Sequence, residues 1–314
     1  AWSFLDPSKN LWLVIAVGLG IAISSATQDI TIDALRIEQI GEDEKDMLSA
    51  GAAISVVGWW TGYKIGGLVS LISADMLQKQ GVENYWQISF LILSGIIMLC
   101  SIGLFFIPEK NSRDKIKLQK LADQEIINKI GTSNNFIKIF AWLYSTVINP
   151  LLSFFKKNTL GVAFSILGFI FLFKIGEAFL GRMSLVFYKE IGFSKTDIAL
   201  YSKGIGWITT VTFTLLGGLF AVRMGLIKAM FLSGILMALT NVMFSVLAWY
   251  GNSEFLFAFT VLIDDLAAAF ATVAFVGFIS ALVDRNYTAT QYALLASIGT
   301  AGRTLFASSS GMMV

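Results

Sequence analysis

Eight apolar runs, each long enough to cross a lipid bilayer, constrain this chain more than any other feature. A helix needs about 20 apolar residues to span the hydrocarbon layer, and open sheet edges are not tolerated there. The sequence therefore predicts an all-α membrane protein with several spans. The runs lie near residues 11–35, 48–72, 86–107, 159–188, 199–222, 225–249, 255–283 and 288–314.

Composition argues against most enzyme classes. Only 14% of the residues are charged, whereas a typical soluble domain carries about 25%. Histidine is absent, which excludes a Ser-His-Asp triad, a Cys-His protease and a His-ligated zinc site. The single cysteine, Cys100, offers neither a disulfide nor a metal-binding pair. The net charge of +2 does not indicate the strongly basic surface that is typical of nucleic-acid-binding proteins. We therefore expect no enzymatic activity, cofactor, metal or nucleic-acid partner.

The longest connection between the runs, residues 108–158, divides the chain. It begins with the charged stretch PEKNSRDKIKLQKLADQEIINK and continues with an interrupted apolar stretch over about 136–155. This second stretch could be a ninth span, but its interruptions and basic flanks favour an interfacial helix along the membrane surface. Nine of the 23 Lys and Arg residues lie in this connection. The positive-inside rule therefore predicts that it is cytoplasmic.

Three spans, a long linker and five spans form an asymmetric layout. Three further spans before residue 1 and one after residue 314 would give two halves of six, the layout of major facilitator transporters. The Gly- and Arg-containing turn GGLFAVRMGLIK, residues 217–228, is similar to the loop motif of those transporters. We therefore expect a fragment of a major facilitator fold covering about eight of twelve helices. Residues 1–107 would form helices 4–6, residues 108–158 the linker, and residues 159–314 helices 7–11.

Charged residues inside the predicted spans are candidate functional residues, because each costs about 2.5–3.5 kcal/mol at a helix centre. Asp33 lies near the end of the first span, where Arg36 can pair with it, whereas Asp29 lies deeper. The fourth span carries Lys174 and Glu177 on one face, which predicts either a structural ion pair or a binding site. Asp264 and Asp265 are adjacent on one helix and face different directions, so one would line a cavity and the other would face a neighbouring helix or water. A wetter outer third of this helix is the alternative interpretation.

The second span contains the segment GWWTGYKIGG, residues 58–67. Its glycines recur every four residues, which predicts close helix packing. Aromatic rings can stack on sugar faces and a buried lysine can hold a carboxylate, although an aromatic belt at the membrane interface is the alternative. The candidate ligand-binding residues here are Trp59, Trp60, Tyr63 and Lys64.

Five motifs in chain order resemble those of AmpG-type muropeptide permeases, a family related to the acetyl-CoA transporters. The family commonly has Arg at the position of Lys64 and Asp at the position of Glu177, and Lys lacks the bidentate fork of Arg. The motifs are SATQDITIDALRIE (25–38), GYKIGGLVSLISAD (62–75), FKIGEAFLG (173–181), GFSKTDIA (192–199) and TATQYALLASIGTAGR (288–303).

The resemblance implies a monomeric, proton-driven importer of anhydro-muropeptides (GlcNAc-anhydro-MurNAc peptides) in the bacterial inner membrane, acting in peptidoglycan recycling. Candidate proton-coupling residues are Asp29, Asp33, Glu177, Asp264 and Asp265. Candidate substrate-binding residues are Gln28, Trp59, Trp60, Tyr63, Lys64, Lys174, Gln291 and Arg303. A facilitator that carries another substrate, such as acetyl-CoA, and a facilitator-like sensor without transport are the alternatives.

Overall fold

The computed structural model describes residues 4–5, 9–41, 44–108, 113–130, 135–193 and 206–309. Within these ranges the regular elements are helical, as the sequence predicts. They are α1 (Leu11–Gln39), α2 (Lys45–Lys79), α3 (Tyr85–Leu104), α4 (Arg113–Ile130), α5 (Asn135–Leu143), a π-helical turn (Tyr144–Ile148), α6 (Asn149–Lys157), α7 (Leu160–Phe173), α8 (Ile175–Glu190), α9 (Gly206–Met224), α10 (Leu226–Tyr250), α11 (Glu254–Leu282), a 3-10 turn (Arg285–Tyr287) and α12 (Thr288–Ser309).

Seven helical stretches in the described part of the chain are long and apolar enough to cross a membrane, by length and composition alone. Six of them match predicted runs. The seventh is Asn135–Lys157, the stretch predicted to be interfacial. The seven are Leu11–Gln39, Tyr85–Leu104, Asn135–Lys157, Leu160–Glu190, Trp207–Met224, Leu226–Tyr250 and Glu254–Leu282.

Two of the eight predicted spans form helices that are outside this set. They are α2, which covers the run near 48–72, and α12, which covers most of the run near 288–314. Both helices are interrupted by polar and charged side chains, which lowers their apolar content. Residues 199–205 and 310–314 of the predicted spans lie outside the described residues.

The helices pack in two connected groups. Helices α9, α10 and α11 pack side by side, and α2 lies against α9 and α11; α12 lies against α1, α7 and α8. The largest apolar cluster contains Ile37 of α1, Ile170 of α7, Phe275 and Ile279 of α11, and Leu295 of α12. Helices from before and after the linker therefore share one core.

The predicted span near 159–188 is not a single helix. Helix α7 ends at Phe173 and α8 begins at Ile175, because Lys174 between them adopts a non-helical backbone with φ −95° and ψ 7°. A break of this kind leaves backbone groups without partners in the helix, which membrane proteins tolerate where other groups or a cavity can satisfy them. The break coincides with a buried charged side chain.

Close helix contacts occur at glycines other than those predicted. A Cβ atom at Gly302 of α12 would lie 2.0 Å from the carbonyl oxygen of Phe171, and one at Gly218 of α9 would lie 2.5 Å from the Cβ of Ala53 in α2. By contrast, no other described atom lies within 4 Å of a Cβ built at the three glycines of α2: Gly58, Gly62 and Gly66. The glycine face of α2 is open among the described residues, so close packing at these glycines stays a prediction.

Candidate functional site

The break between α7 and α8 carries a buried ion pair. The ammonium group of Lys174 donates hydrogen bonds to the carboxylate of Glu177 in α8 and to the hydroxyl of Thr272 in α11, the latter at 2.7 Å. The Lys174 side chain is 8% exposed and that of Glu177 is 26% exposed. We call these three residues the Lys174 cluster. It joins the α7–α8 break to α11, and the partly exposed carboxylate is the member that a proton or a ligand can reach.

The adjacent carboxylates of α11 diverge, as the sequence predicts. Asp265 accepts a hydrogen bond at 3.0 Å from the hydroxyl of Thr209 in α9. Asp264 instead faces α10, within hydrogen-bonding reach of Thr240, and interacts electrostatically with Glu177. Because residues four apart share a helix face, Asp264, Ala268 and Thr272 form one stripe, which directs Asp264 toward the side of α11 that carries the Lys174 cluster.

A second polar cluster connects α1 with α2, α11 and α12. The predicted pairing is present: Arg36 donates to Asp33 Oδ1 from Nη2 at 2.9 Å and from Nε at 3.2 Å. The same oxygen accepts a hydrogen bond from Ser55 in α2 at 3.3 Å, and Arg36 also donates to Ser280 in α11 at 3.2 Å. We call these four residues the Asp33 cluster. The guanidinium group also lies 6.0 Å from the ring centroid of Tyr292 in α12, so the cluster ties together both parts of the chain.

The aromatic segment of α2 presents two different faces. Trp59 and Tyr63 stack with centroids 5.7 Å apart and planes 6° apart, and both are exposed, by 54% and 69%. Lys64 points toward α9 instead: its ammonium group donates to the hydroxyl of Thr210 at 3.1 Å and lies 5.1 Å from the ring centroid of Trp60, which packs against the apolar cluster between α2 and α11. The four candidates are therefore together, with the stacked pair as the open surface.

The remaining candidates occupy different surroundings. Gln28 and Asp29 are exposed on α1, one turn before the Asp33 cluster, and Arg303 is exposed on α12 beside the close contact at Gly302. Gln291 is only 2% exposed. Its side-chain amide donates a hydrogen bond to the carbonyl of Pro150 and accepts one from the backbone N–H of Asp284. Both ends of that amide are used by backbone groups, so its geometry fits a structural role and gives no support to substrate binding.

Sequence reasoning missed the hydroxyl groups that complete both clusters. Single Ser and Thr residues in apolar helices carry a weak signal, since they can bond to the backbone of their own helix. One pattern was available: Thr272 lies two turns after Asp264, on the same face of α11. The cluster members missed in this way are Ser55, Thr272 and Ser280. Outside the clusters, Thr209 beside Asp265 and Thr210 beside Lys64 were missed as well.

The sequence profile of the Major Facilitator Superfamily matches residues 1–307. This range contains all the candidate residues and both clusters. Of the five motifs identified in the sequence, four fall on described residues, whereas most of GFSKTDIA, from residue 194 onward, lies outside them.

Curated relatives carry the name suggested by the motifs. The chain is 33% identical over 298 residues to the putative transporter AmpG 4 of Rickettsia conorii, covering 95% of this chain and 65% of that protein. It is 29% identical over 316 residues to the anhydromuropeptide permease of Escherichia coli K12, covering 100% of this chain and 57% of that protein. The resemblance to AmpG-type permeases is thus confirmed, and the chain spans about three fifths of the length of these relatives.

Proposed function

The chain belongs to the Major Facilitator Superfamily, and from this premise we propose that it is a proton-coupled importer of anhydro-muropeptides in a bacterial inner membrane, with a cytoplasmic linker. The permease name of the Escherichia coli relative and the ordered motifs support this substrate class. In this proposal α1–α3 belong to the first half of the facilitator fold and α7–α12 to the second, with the binding site between the halves.

One observation carries the proposal: a Lys–Glu pair lies at a helix break within an apolar segment. Such a pair is costly in a membrane, and its members have unequal access. Protonation of the more exposed Glu177 would free the charge of Lys174, which Thr272 would continue to hold at its position. The freed ammonium group would then attract a carboxylate of the substrate peptide, so that proton and substrate are taken up together.

Asp264 extends this proton path along α11. It interacts electrostatically with Glu177 and lies two turns before Thr272 on the same helix face. Two carboxylates held near one another favour a shared proton over two negative charges. We propose that protons reach Glu177 by way of Asp264, while Asp265 positions α9 through Thr209.

The stacked pair of Trp59 and Tyr63 would contact the carbohydrate part of the muropeptide substrate. Parallel, exposed rings provide flat apolar surfaces of the kind that sugar rings cover, and rings of this size contribute a large contact area. The amide of Gln28 would hydrogen-bond substrate amides. Lys64 and Arg303 would add positive charge for the peptide carboxylates, with Lys64 close to α9.

The substrate class is tested by competition in proteoliposomes that contain the protein expressed from its complete reading frame. Uptake of labelled anhydro-muropeptide should be inhibited by unlabelled anhydro-disaccharide peptides and not by acetyl-CoA or free peptide. Trp59→Ala should raise KM for the muropeptide, whereas Trp249→Ala, which changes an exposed tryptophan at the end of α10, should leave it unchanged. Uptake of labelled acetyl-CoA without uptake of labelled anhydro-muropeptide would assign the alternative substrate, and no uptake of either compound would favour a sensor.

A further inference from the structure

The ends of the linker lie on one side of the membrane. After α3, the carbonyl of Pro108 accepts a hydrogen bond from Gln39 at the end of α1, at 2.5 Å. Near the end of the linker, Ser153 donates at 3.1 Å to Asp284, in the loop between α11 and α12. That loop in turn joins α1, because Arg285 donates to the carbonyl of Ile40 at 2.8 Å. We call this side the linker side.

This topology is incompatible with a single crossing by Asn135–Lys157. One crossing would place the two ends of the linker on opposite sides, and the only other described helix in the linker, α4, is too charged to supply a second crossing at about 2.5–3.5 kcal/mol per charge. Its 18 residues include eight charged ones: Arg113, Asp114, Lys115, Lys117, Lys120, Asp123, Glu125 and Lys129.

The contact between α4 and the π-helical turn leads to the same result. Ser145, at the middle of Asn135–Lys157, donates a hydrogen bond to the carboxylate of Asp123 and accepts one at 2.5 Å from the amide of Gln119. A charged helix that contacts the middle of this stretch holds that middle at the boundary with water. Length and composition identify a possible span here, but the contacts fix the stretch along the surface.

The same stretch is amphipathic in the manner of an in-plane membrane helix. One face is buried against the protein and includes Ala141, Ser145 and Phe154, whereas the other exposes large apolar side chains. It carries three basic residues and no acidic one, which matches an anionic lipid surface. The exposed large apolar residues are Phe136, Ile139, Phe140, Trp142, Leu143, Val147, Ile148 and Leu152; the basic ones are Lys138, Lys156 and Lys157.

A polar cleft of about 510 Å³ opens where this helix meets the α11–α12 loop. Its lining combines two lysines with amide, hydroxyl and apolar groups: Asn149, Leu152, Ser153, Lys156, Lys157, Asp284, Asn286 and Tyr287. The one carboxylate in this lining is already held by the protein, since its oxygens accept hydrogen bonds from the Ser153 hydroxyl and the Asn286 backbone. The two lysines outnumber this carboxylate, so the lining carries a net positive charge.

We propose that this cleft binds the headgroup of an anionic phospholipid in the linker-side leaflet, and that Asn135–Lys157 lies in the plane of that leaflet. Lys156 and Lys157 would meet the phosphodiester, with the amide groups of Asn149 and Asn286 completing its hydrogen bonds. The exposed Leu152 marks the route of the acyl chains toward the apolar face of the helix. This site is separate from the Lys174 cluster and does not depend on the transported substrate.

Native mass spectrometry of the purified protein tests the site with phosphatidylglycerol and phosphatidylcholine as probes. The protein should retain phosphatidylglycerol in preference to phosphatidylcholine. K156Q/K157Q should weaken its binding about 30-fold, because each lysine near an anionic surface contributes about fivefold in affinity. The matched control, K228Q, removes an exposed lysine at the start of α10 on the same side and should bind as the wild type does. Equal binding by wild type and double variant overturns the proposal, and so does displacement of the lipid by equimolar soluble glycerol phosphate.

The depth of a spin label distinguishes the in-plane helix from a crossing one without relying on the cleft. V147C on a Cys100→Ala background places the label near the midpoint of the 23-residue stretch, on its exposed face. An in-plane helix holds it at about 5–10 Å within the headgroup and acyl boundary. Oxygen accessibility typical of the bilayer centre would contradict the proposal.

Discussion

Replacing Glu177 by glutamine should destabilise the protein more than removing its partner Lys174. The Lys174 side chain is 8% exposed and its other described contact is the hydroxyl of Thr272, whereas Glu177 is 26% exposed. Removing one member of a buried pair costs about 3–5 kcal/mol. Because Glu177 is partly exposed, we expect the lower end, about 3 kcal/mol, for Glu177→Gln.

Lys174→Met leaves the more accessible charge behind. The remaining carboxylate of Glu177 can take up a proton, which removes the uncompensated charge, so the loss of unfolding free energy should be smaller than for Glu177→Gln. The double variant leaves no unpaired charge, and replacing a buried pair by uncharged groups is often nearly neutral. We therefore expect it to be more stable than Glu177→Gln alone.

Reversible unfolding in mixed detergent and SDS micelles measures this order, while uptake in proteoliposomes measures function. From most to least stable, the predicted order is wild type, Lys174→Met and Glu177→Gln. The double variant should regain most of the lost unfolding free energy but should show no uptake. A double variant as unstable as the sum of the two single changes would refute the coupling. Equal stability of the two single variants would refute the argument from burial.

Two further changes test the packing. Gly302→Ala should lower the unfolding free energy by about 1–3 kcal/mol, because its Cβ would meet the Phe171 carbonyl at 2.0 Å. The control, Gly66→Ala, places its Cβ in open space and should be neutral or stabilising by up to about 1 kcal/mol. In the same unfolding assay, Arg285→Gln should lower the unfolding free energy by about 1.5–3 kcal/mol, because the Arg285 side chain makes charged hydrogen bonds with carbonyl groups at the end of α1. Arg223→Gln, at an exposed arginine, is the control. Equal effects of the two changes would contradict the assigned contact.

Some features of the fold could be predicted because the bilayer leaves few alternatives. Apolar length predicts helices, and six predicted runs are helical stretches able to cross a membrane. The Arg36–Asp33 pair followed from a three-residue spacing on one helix, and the divergence of Asp264 and Asp265 followed from their adjacency. These are local properties, which depend on one helix at a time.

Features that depend on contacts between distant helices could not be read from the sequence. Gly218 closely approaches Ala53, and Gly302 closely approaches Phe171. Nothing in the local sequence pattern predicts either pairing. The break at Lys174 has no proline to signal it, and the spacing of Lys174 and Glu177 predicted a shared face of one continuous helix. The same limit applies to Gln291, whose motif suggested a ligand although its partners are backbone groups 141 and 7 residues away.

The most direct test of proton-coupled import is the uptake of labelled anhydro-muropeptide into proteoliposomes under an imposed proton gradient. Inward-directed gradients should accelerate accumulation by the wild-type protein, and a protonophore should abolish the acceleration. Glu177→Gln should remove the dependence on the gradient, whereas Asp75→Asn, a change in an exposed surface pair with Lys79, should preserve it. Muropeptide uptake by the wild type at the same rate and to the same level with and without the gradient would contradict the account.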